Sequence, residues 1–249
     1  MPTTESLALV VGVFLLAGWV KGVVGMGLPT VAMGVLGLAM PPVQAATLLV
    51  VPSLVTNIWQ FVAGPSAWSL LRRLASMLIF VCAGTAIGIQ FLTTGSSRWP
   101  SVALGAVLAA YGLLGLWLPR LSVSSRSERA LSPIVGGITG VLTGATGVFV
   151  VPAVPYITAL GLDKDELVQA LGLSFTVSTV ALGVALGSNG AFSPGVLLAS
   201  LGAVVPALVG MFAGQATRNR IEPVTFRKWF FVAMLLVGSY MVIKSLAAP

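Results

Sequence analysis

The sequence predicts an all-α polytopic membrane protein. Three observations carry that reading: the composition, the length of the apolar runs, and a glycine motif that occurs twice. Of 249 residues, 57% are apolar and 8% charged, well outside the range of soluble globular domains. A helix needs about 20 apolar residues to cross a bilayer. Runs of that order occupy 7–24, 43–63, 74–92, 102–118, 134–150, 167–186, 196–213 and 230–244, which makes about eight full spans. Two shorter pieces, 30–40 and 150–162, are bounded by glycines or prolines and read as half-helices or re-entrant segments.

Composition also excludes whole classes of chemistry. There is no histidine, and Cys82 is the lone cysteine, so neither an internal disulfide nor a cysteine or histidine metal cluster is expected. The acidic residues are Glu5, Glu128, Asp163, Asp165, Glu166 and Glu222, each in or beside a polar connector. No carboxylate pair faces an apolar span, so neither an enzyme nor a cofactor is expected. The net charge of +7 would suggest nucleic acid in a soluble domain. Here the arginines lie in short connectors, where anionic headgroups favour them, so the expected partner is the bilayer. The first apolar run lacks a basic flank and a small-residue cleavage site and reads as a retained span.

The motif Gly18-x3-Gly22-x2-Gly25 recurs as Gly140-x3-Gly144-x2-Gly147, 122 residues later. Val43-Gln44-Ala45 is echoed by Val168-Gln169-Ala170 at an offset of 125, so the second copy carries a connector three residues longer. The chain reads as a duplication, with a first transmembrane repeat over 1–119, a linker over 120–130 and a second repeat over 131–249. Connector charge gives the relative orientation of the copies. Were only the eight long runs to cross, the basic connector residues would divide six to six between the two sides. Counting the short pieces as crossings places ten on one side, against Arg98 and Lys244 on the other. That bias favours five segments per copy, two inverted copies, and both termini outside the cytoplasm.

Lys21 is the single ionisable residue well inside an apolar run. An ammonium there costs about 2.5–3.5 kcal/mol on insertion scales and persists when it faces a cavity, a partner or the interface. It lies about fourteen residues into its run, roughly 21 Å along a helix, so snorkelling to a headgroup is the competing explanation. Just beyond it, Gly25-Met26-Gly27-Leu28-Pro29 should interrupt the helix and begin a new one at the proline. Such a helix start carries roughly half a positive charge and suits an anion. The second copy looks softer, with Gly144-Ala145-Thr146-Gly147 running into Val148-Phe149-Val150-Val151-Pro152 and Thr143 in the place of Lys21. Thr143 and Thr146 either donate to an anion or bond their own helix backbone. Asn57 and Gln60 either stitch helices together or line a polar path. Ser53 and Thr56 share their helix, while Ser174, Thr176, Ser178 and Thr179 populate its counterpart.

Other polar and small residues read structurally. Gly84-Gly88 and Gly136-Gly140-Gly144 suit close helix packing. Asp163 with Glu166 has the spacing of a helix N-cap and its acidic partner. The tryptophans fall near span ends as interface anchors, although Trp59 could instead line a cavity.

Gly18-x3-Gly22-x2-Gly25-Met26-Gly27-Leu28-Pro29, the second copy from Gly140 to Gly147 with Pro152, and Leu171-Gly172-Leu173-Ser174-Phe175 resemble the sulfite exporter TauE/SafE family. Length, duplication and span count agree over nearly the whole chain. The second copy departs where members often carry a longer glycine run, having Val148-Phe149-Val150 there. The resemblance implies a multi-pass permease of the bacterial inner membrane that handles sulfite, organosulfonates or other small anions. On this reading Lys21, Gly25, Gly27, Asn57, Gln60, Thr143, Thr146, Gly147 and Ser174 form the substrate site. Transport would run by alternating access, with export favoured, and a homodimer is an allowed assembly. A permease for a carboxylate or a cation, or a non-transporting scaffold, are the alternatives.

In a Cys82→Ser background, single cysteines at positions 2 and 124 should react with impermeant reagents added on opposite sides of the membrane. Labelling of both from one side would remove the ten-segment topology.

Overall fold

A computed structural model describes residues 4–93, 98–117, 122–220 and 222–247, all helix and connecting turns with no strand among them. The helices are α1 (Thr4–Val24), α2 (Leu28–Ala39), α3 (Pro42–Val62), α4 (Ala67–Thr93), α5 (Trp99–Trp117), α6 (Ser125–Thr146), α7 (Ala153–Thr158), α8 (Lys164–Ser188), α9 (Pro194–Gly202), α10 (Val204–Thr217) and α11 (Pro223–Ala247). Prolines open several of them, at Pro29, Pro42, Pro194 and Pro223, because the first turn needs no N–H from them. Among the described residues, seven helical stretches are long and apolar enough to cross a membrane. The eighth run falls in α6, whose first turns carry Arg126, Glu128 and Arg129 and which stops at Thr146 rather than at residue 150. The 30–40 piece is the twelve-residue α2, and the 150–162 piece holds the six-residue α7.

The run expected over 196–213 is two helices, α9 and α10, interrupted at Ala203. Pro206, in the first turn of α10, cannot donate to the carbonyl four residues back and disfavours helical backbone just before it. Of the stretch read as a linker, residues 120 and 121 lie outside the described residues, and Ser125 onward is already α6. Ser124 caps that helix, accepting from the Ser127 N–H at 3.3 Å. The reading of Asp163 and Glu166 as a capping pair is corrected. Asp163 stands at the N-cap of α8, but its side chain makes no capping bond, and Glu166 Oε1 accepts from Ser66 Oγ at 3.2 Å. The capping motif shares its spacing with any acidic connector, and here the carboxylate finds a donor on a neighbouring loop.

Two glycine seams involve α1 and α6. Along the first, α1 lies against α10, and a Cβ added at Gly18 or Gly22 would overlap the carbonyl oxygen of Ala207 or Met211. Gly210 and Gly214 of α10 meet the carbonyls of Leu15 and Trp19 in return. Along the second, α4 lies against α6, where Gly84 and Gly88 face Gly137 and Val141, and Gly136, Gly140 and Gly144 face Met77, Val81 and Thr85. Small residues let the backbones approach, so dispersion acts over the full contact length. A further glycine seam joins α5 and α11, where Gly105 and Gly112 meet the backbone of Gly238 and of Phe231 and Leu235, and α3 packs against α8. The short α2 is enclosed by α1, α3, α5 and α11, with Leu28, Met33 and Leu36 fully buried. The outer surface is apolar, with Ile79, Ile87 and Phe91 of α4, Val184 of α8, Leu198 of α9 and Ile243 of α11 exposed, as a lipid-facing belt requires.

Two side chains, Ser200 and Arg73, satisfy backbone carbonyls far from them in sequence. Pro52 interrupts the ladder of α3 and leaves the Leu48 carbonyl without its helical donor. Ser200 Oγ of α9 donates to that carbonyl at 2.8 Å and accepts from the Val51 N–H at 3.3 Å. Arg73 of α4 grips Glu128 of α6 through two bonds of 2.8 and 2.9 Å and donates to the Leu160 carbonyl at 3.2 Å. This ties the loop after α7 to the α4–α6 seam.

Gly22→Ala and Gly140→Ala should each lower the melting temperature of the purified protein, by an amount corresponding to about 1–3 kcal/mol of overpacking. Gly12→Ala and Gly137→Ala lie in the same two helices, where a Cβ meets nothing within 4 Å. They should leave the melting temperature unchanged or slightly raised.

Candidate functional site

Lys21 stands in the last turn of α1, and its side chain is turned into the bundle at 3% exposure. Snorkelling is therefore ruled out in this structure. The helix closes with the Gly25 N–H on the Lys21 carbonyl at 2.7 Å. The chain then turns through two glycines in the left-handed region, Gly25 at φ 82° and Gly27 at φ 112°, which other residues adopt only with strain. Gly27 is the N-cap of α2 and has no side chain to cap it, so the first N–H groups of α2 are left for another acceptor. A Cβ at Gly25 would meet nothing within 4 Å, so the break borders open space.

The Lys21 Nζ donates to Thr56 Oγ1 at 3.1 Å and, in closer contact, to Asn57 Oδ1. Thr56 can accept because its own proton goes to the Pro52 carbonyl at 2.9 Å. Asn57 Nδ2 donates in turn to Thr179 Oγ1 at 3.2 Å, and that hydroxyl donates to the Phe175 carbonyl at 2.7 Å. One chain of bonds thus joins α1, α3 and α8. Every acceptor for the ammonium is neutral. Among the described residues the ion pair formed is Arg73 with Glu128, elsewhere in the bundle.

Among the described residues, the buried side-chain polar atoms with no hydrogen-bond partner are the hydroxyls of Ser53, Ser174, Ser178, Thr30 and Thr139, and Gln60 Oε1. Ser53, Asn57 and Gln60 share one face of α3, being spaced four and three residues apart, and Ser174 and Ser178 share one face of α8. Gln60 Nε2 spans the break, donating to the Gly25 carbonyl at 3.0 Å and to the Val168 carbonyl at 2.9 Å.

The second break is wider than expected rather than softer. α6 ends at Thr146, Gly147 caps it at φ 72° with its N–H on the Thr143 carbonyl at 2.8 Å, and helix resumes only at Ala153. The buried, β-branched and aromatic run 148–150 loses rotamer freedom in a helix. Thr143 and Thr146 direct their protons to the Thr139 and Leu142 carbonyls, each at 2.7 Å. These are the backbone bonds of the second alternative, and donation to an anion would require their release. Gly147 itself packs beside Met33 of α2 and Ala46 of α3, where a Cβ would come within 3.0–3.3 Å. The structure therefore joins Lys21 with Asn57, and Gln60 with Gly25, and leaves Ser174 buried with a free hydroxyl. It keeps Thr143 and Thr146 bonded to their own helix. Thr56 and Thr179 complete the lysine's network without having been selected from the sequence as site residues. Trp59 is 52% exposed and stacks edge-on against Phe212, so it does not line an interior cavity.

A model of the sulfite exporter TauE/SafE family matches residues 10–241. The chain belongs to that family. No match emerges among curated proteins or among solved structures. The match covers both helix breaks, the glycine seams and the buried lysine of this TauE/SafE chain, and it identifies a membrane exporter of the permease type.

Thr179→Val keeps the shape of the side chain but removes the acceptor of Asn57 Nδ2. The loss should cost about 1–3 kcal/mol, read as a lower melting temperature. Thr176→Val, whose hydroxyl bonds only the Gly172 carbonyl of its own helix at 2.7 Å, should cost less.

Proposed function

We propose that this TauE/SafE chain carries a small oxyanion, sulfite or an organosulfonate, outward across a bacterial inner membrane by alternating access. One observation carries the proposal: the Lys21 ammonium is buried with two neutral acceptors and no carboxylate. A buried cation without a counter-charge is expensive, and an anion arriving beside it relieves that cost. The start of α2, six residues on, adds its free N–H groups and dipole to the same attraction. Asn57 holds the ammonium in place, while Gln60, the Ser174 hydroxyl and the flexible Gly25–Gly27 break shape the fit. Thr143, Thr146 and Gly147 form the second copy's contribution, and the threonines would reach an anion only on releasing their helix carbonyls.

The α1–α10 and α4–α6 seams support reading the chain as an inverted duplication. Gly18 and Gly22 of α1 rest on α10, as Gly140 and Gly144 of α6 rest on α4, and each break follows its own seam. Alternating access would rock such copies against one another around a fixed site. Among the described residues the acidic side chains of the later spans stand at helix starts, Asp165 and Glu166 in the first turn of α8 and Glu128, paired with Arg73, in the first turn of α6, so none lies midway along a span to carry a proton. For an inside-negative cell, outward movement of a monoanion gains about 2.3 kcal/mol per 100 mV, enough to favour export without a coupling ion.

Lys21→Met should abolish sulfite flux in proteoliposomes while the protein still inserts and purifies as a folded species. Transport retained at the wild-type rate would remove the lysine from the mechanism. Wild-type flux indifferent to membrane potential but dependent on sodium would replace the uniport.

A further inference from the structure

We propose that the anion selected here carries a hydrogen-bond donor of its own, and that Gln60 Oε1 reads that donor; this rests on the anion-permease reading above. Such anions include a protonated oxyanion, hydrogensulfite being the simplest, and a sulfonate bearing a hydroxyl group.

The argument turns on which atoms of the site have a fixed role. A serine hydroxyl donates or accepts as needed, so the free hydroxyls of Ser53, Ser174 and Ser178 say nothing about the ligand's protons. The Lys21 ammonium only donates. Gln60 is different because both protons of its amide are committed, to the Gly25 and Val168 carbonyls at 3.0 and 2.9 Å. Those two carbonyls fix the amide's orientation, since a flipped amide would set oxygen against oxygen at both positions. Oε1 is then an acceptor without alternative. It is buried and has no donor.

Gln169 shows what a purely structural glutamine looks like in the same bundle. Its Nε2 donates to the Phe61 and Gly64 carbonyls, each at 2.8 Å, and its Oε1 accepts from the Ser66 N–H at 2.8 Å. Every polar atom is used, and the residue terminates α3. Gln60 makes the same two-carbonyl clamp but leaves its oxygen empty, one helical turn along α3 from the residues that hold Lys21. A buried acceptor without a donor costs free energy, and at Gly25, whose carbonyl Gln60 Nε2 bonds, an added Cβ would meet nothing within 4 Å. An anion attracted by the ammonium and supplying a proton to Oε1 would satisfy both at once. An analogue that puts a methyl there would leave the oxygen unsatisfied, and sites built to bond a substrate hydroxyl reject such analogues strongly.

Two pairs of singly charged, nearly isosteric anions test this on the purified full-length chain, through the concentration at which each raises the melting temperature. Hydrogensulfite against methanesulfinate exchanges hydroxyl for methyl on sulfur. 2-Hydroxyethanesulfonate against propanesulfonate does so at the end of an organic arm. The donor-bearing member of at least one pair should bind about tenfold or more tightly than its partner. The first pair responds if the donor sits on the oxyanion, the second if it sits on the arm. Gln60→Met should bring that ratio close to one while keeping affinity for the methyl analogue, and the wild-type ratio decides the matter should this variant fail to fold. Parity within both pairs, with binding still lost in Lys21→Met, would overturn the role of Gln60 and leave the anion reading intact. That is also the outcome if a water satisfies Oε1. Absence of binding by all four anions would overturn the anion reading and this inference with it.

Discussion

An ammonium set inside an apolar bundle places demands on every helix it can reach. Lys21 needs acceptors, so α3 must present Thr56 and Asn57 toward α1. Those acceptors need their own protons placed, which Thr56 achieves on the Pro52 carbonyl and Asn57 on Thr179. The demand thus passes from α1 through α3 to α8 as a single bonded chain, and the relative positions of three helices follow from it. Neutral acceptors hold the charge without cancelling it, whereas an aspartate in the position of Asn57 would close an ion pair and remove the attraction for a solute.

Glycine and proline make this interior possible by opposite means. The glycines of α1, α4, α6 and α10 remove side chains, so backbones touch and the bundle gains cohesion without a hydrophobic driving force between helices. The prolines remove donors, and each vacancy must be answered. At Pro52 the answer comes from Ser200, more than a hundred residues distant in the chain. At the first break the Gly25 carbonyl, which points away from any helix, is answered by Gln60. Irregular backbone is tolerated at these depths because it is surrounded by protein and not by lipid.

The features legible in the sequence were those that one residue or one spacing decides. Lys21 announced itself as a lone charge in an apolar run, and the Gly25 to Pro29 break followed from local backbone preference. The α4–α6 seam followed from the four-residue spacing of its glycines, whereas Gly18 and Gly22 stood out as a repeated motif and not as packing, and Gly210 and Gly214 not at all. What escaped depends on which helices meet. Thr56 and Thr179 look like any membrane threonines until Asn57 is seen bridging them to the lysine. The second break extends because 148–150 is packed as buried irregular backbone, and an apolar run of that composition gives no local sign of it. The interruption between α9 and α10 was readable at Pro206 and was hidden by uniform hydropathy. Gln60 and Gln169 are the same residue type near facing helix ends, and only their partners tell them apart.

The seams have a further consequence for what counts as a unit in this molecule. α1 is sealed to α10 and α4 to α6, so each half of the polypeptide clasps a stretch from the other half. Parting the molecule between α5 and α6 would strip α1, α4, α6 and α10 of their tightest neighbours and leave glycine-lined grooves against lipid. The contact of α1 with α10 can close only once residues 204–217 are present, although the acceptors of Lys21, Thr56 and Asn57, lie early in the chain.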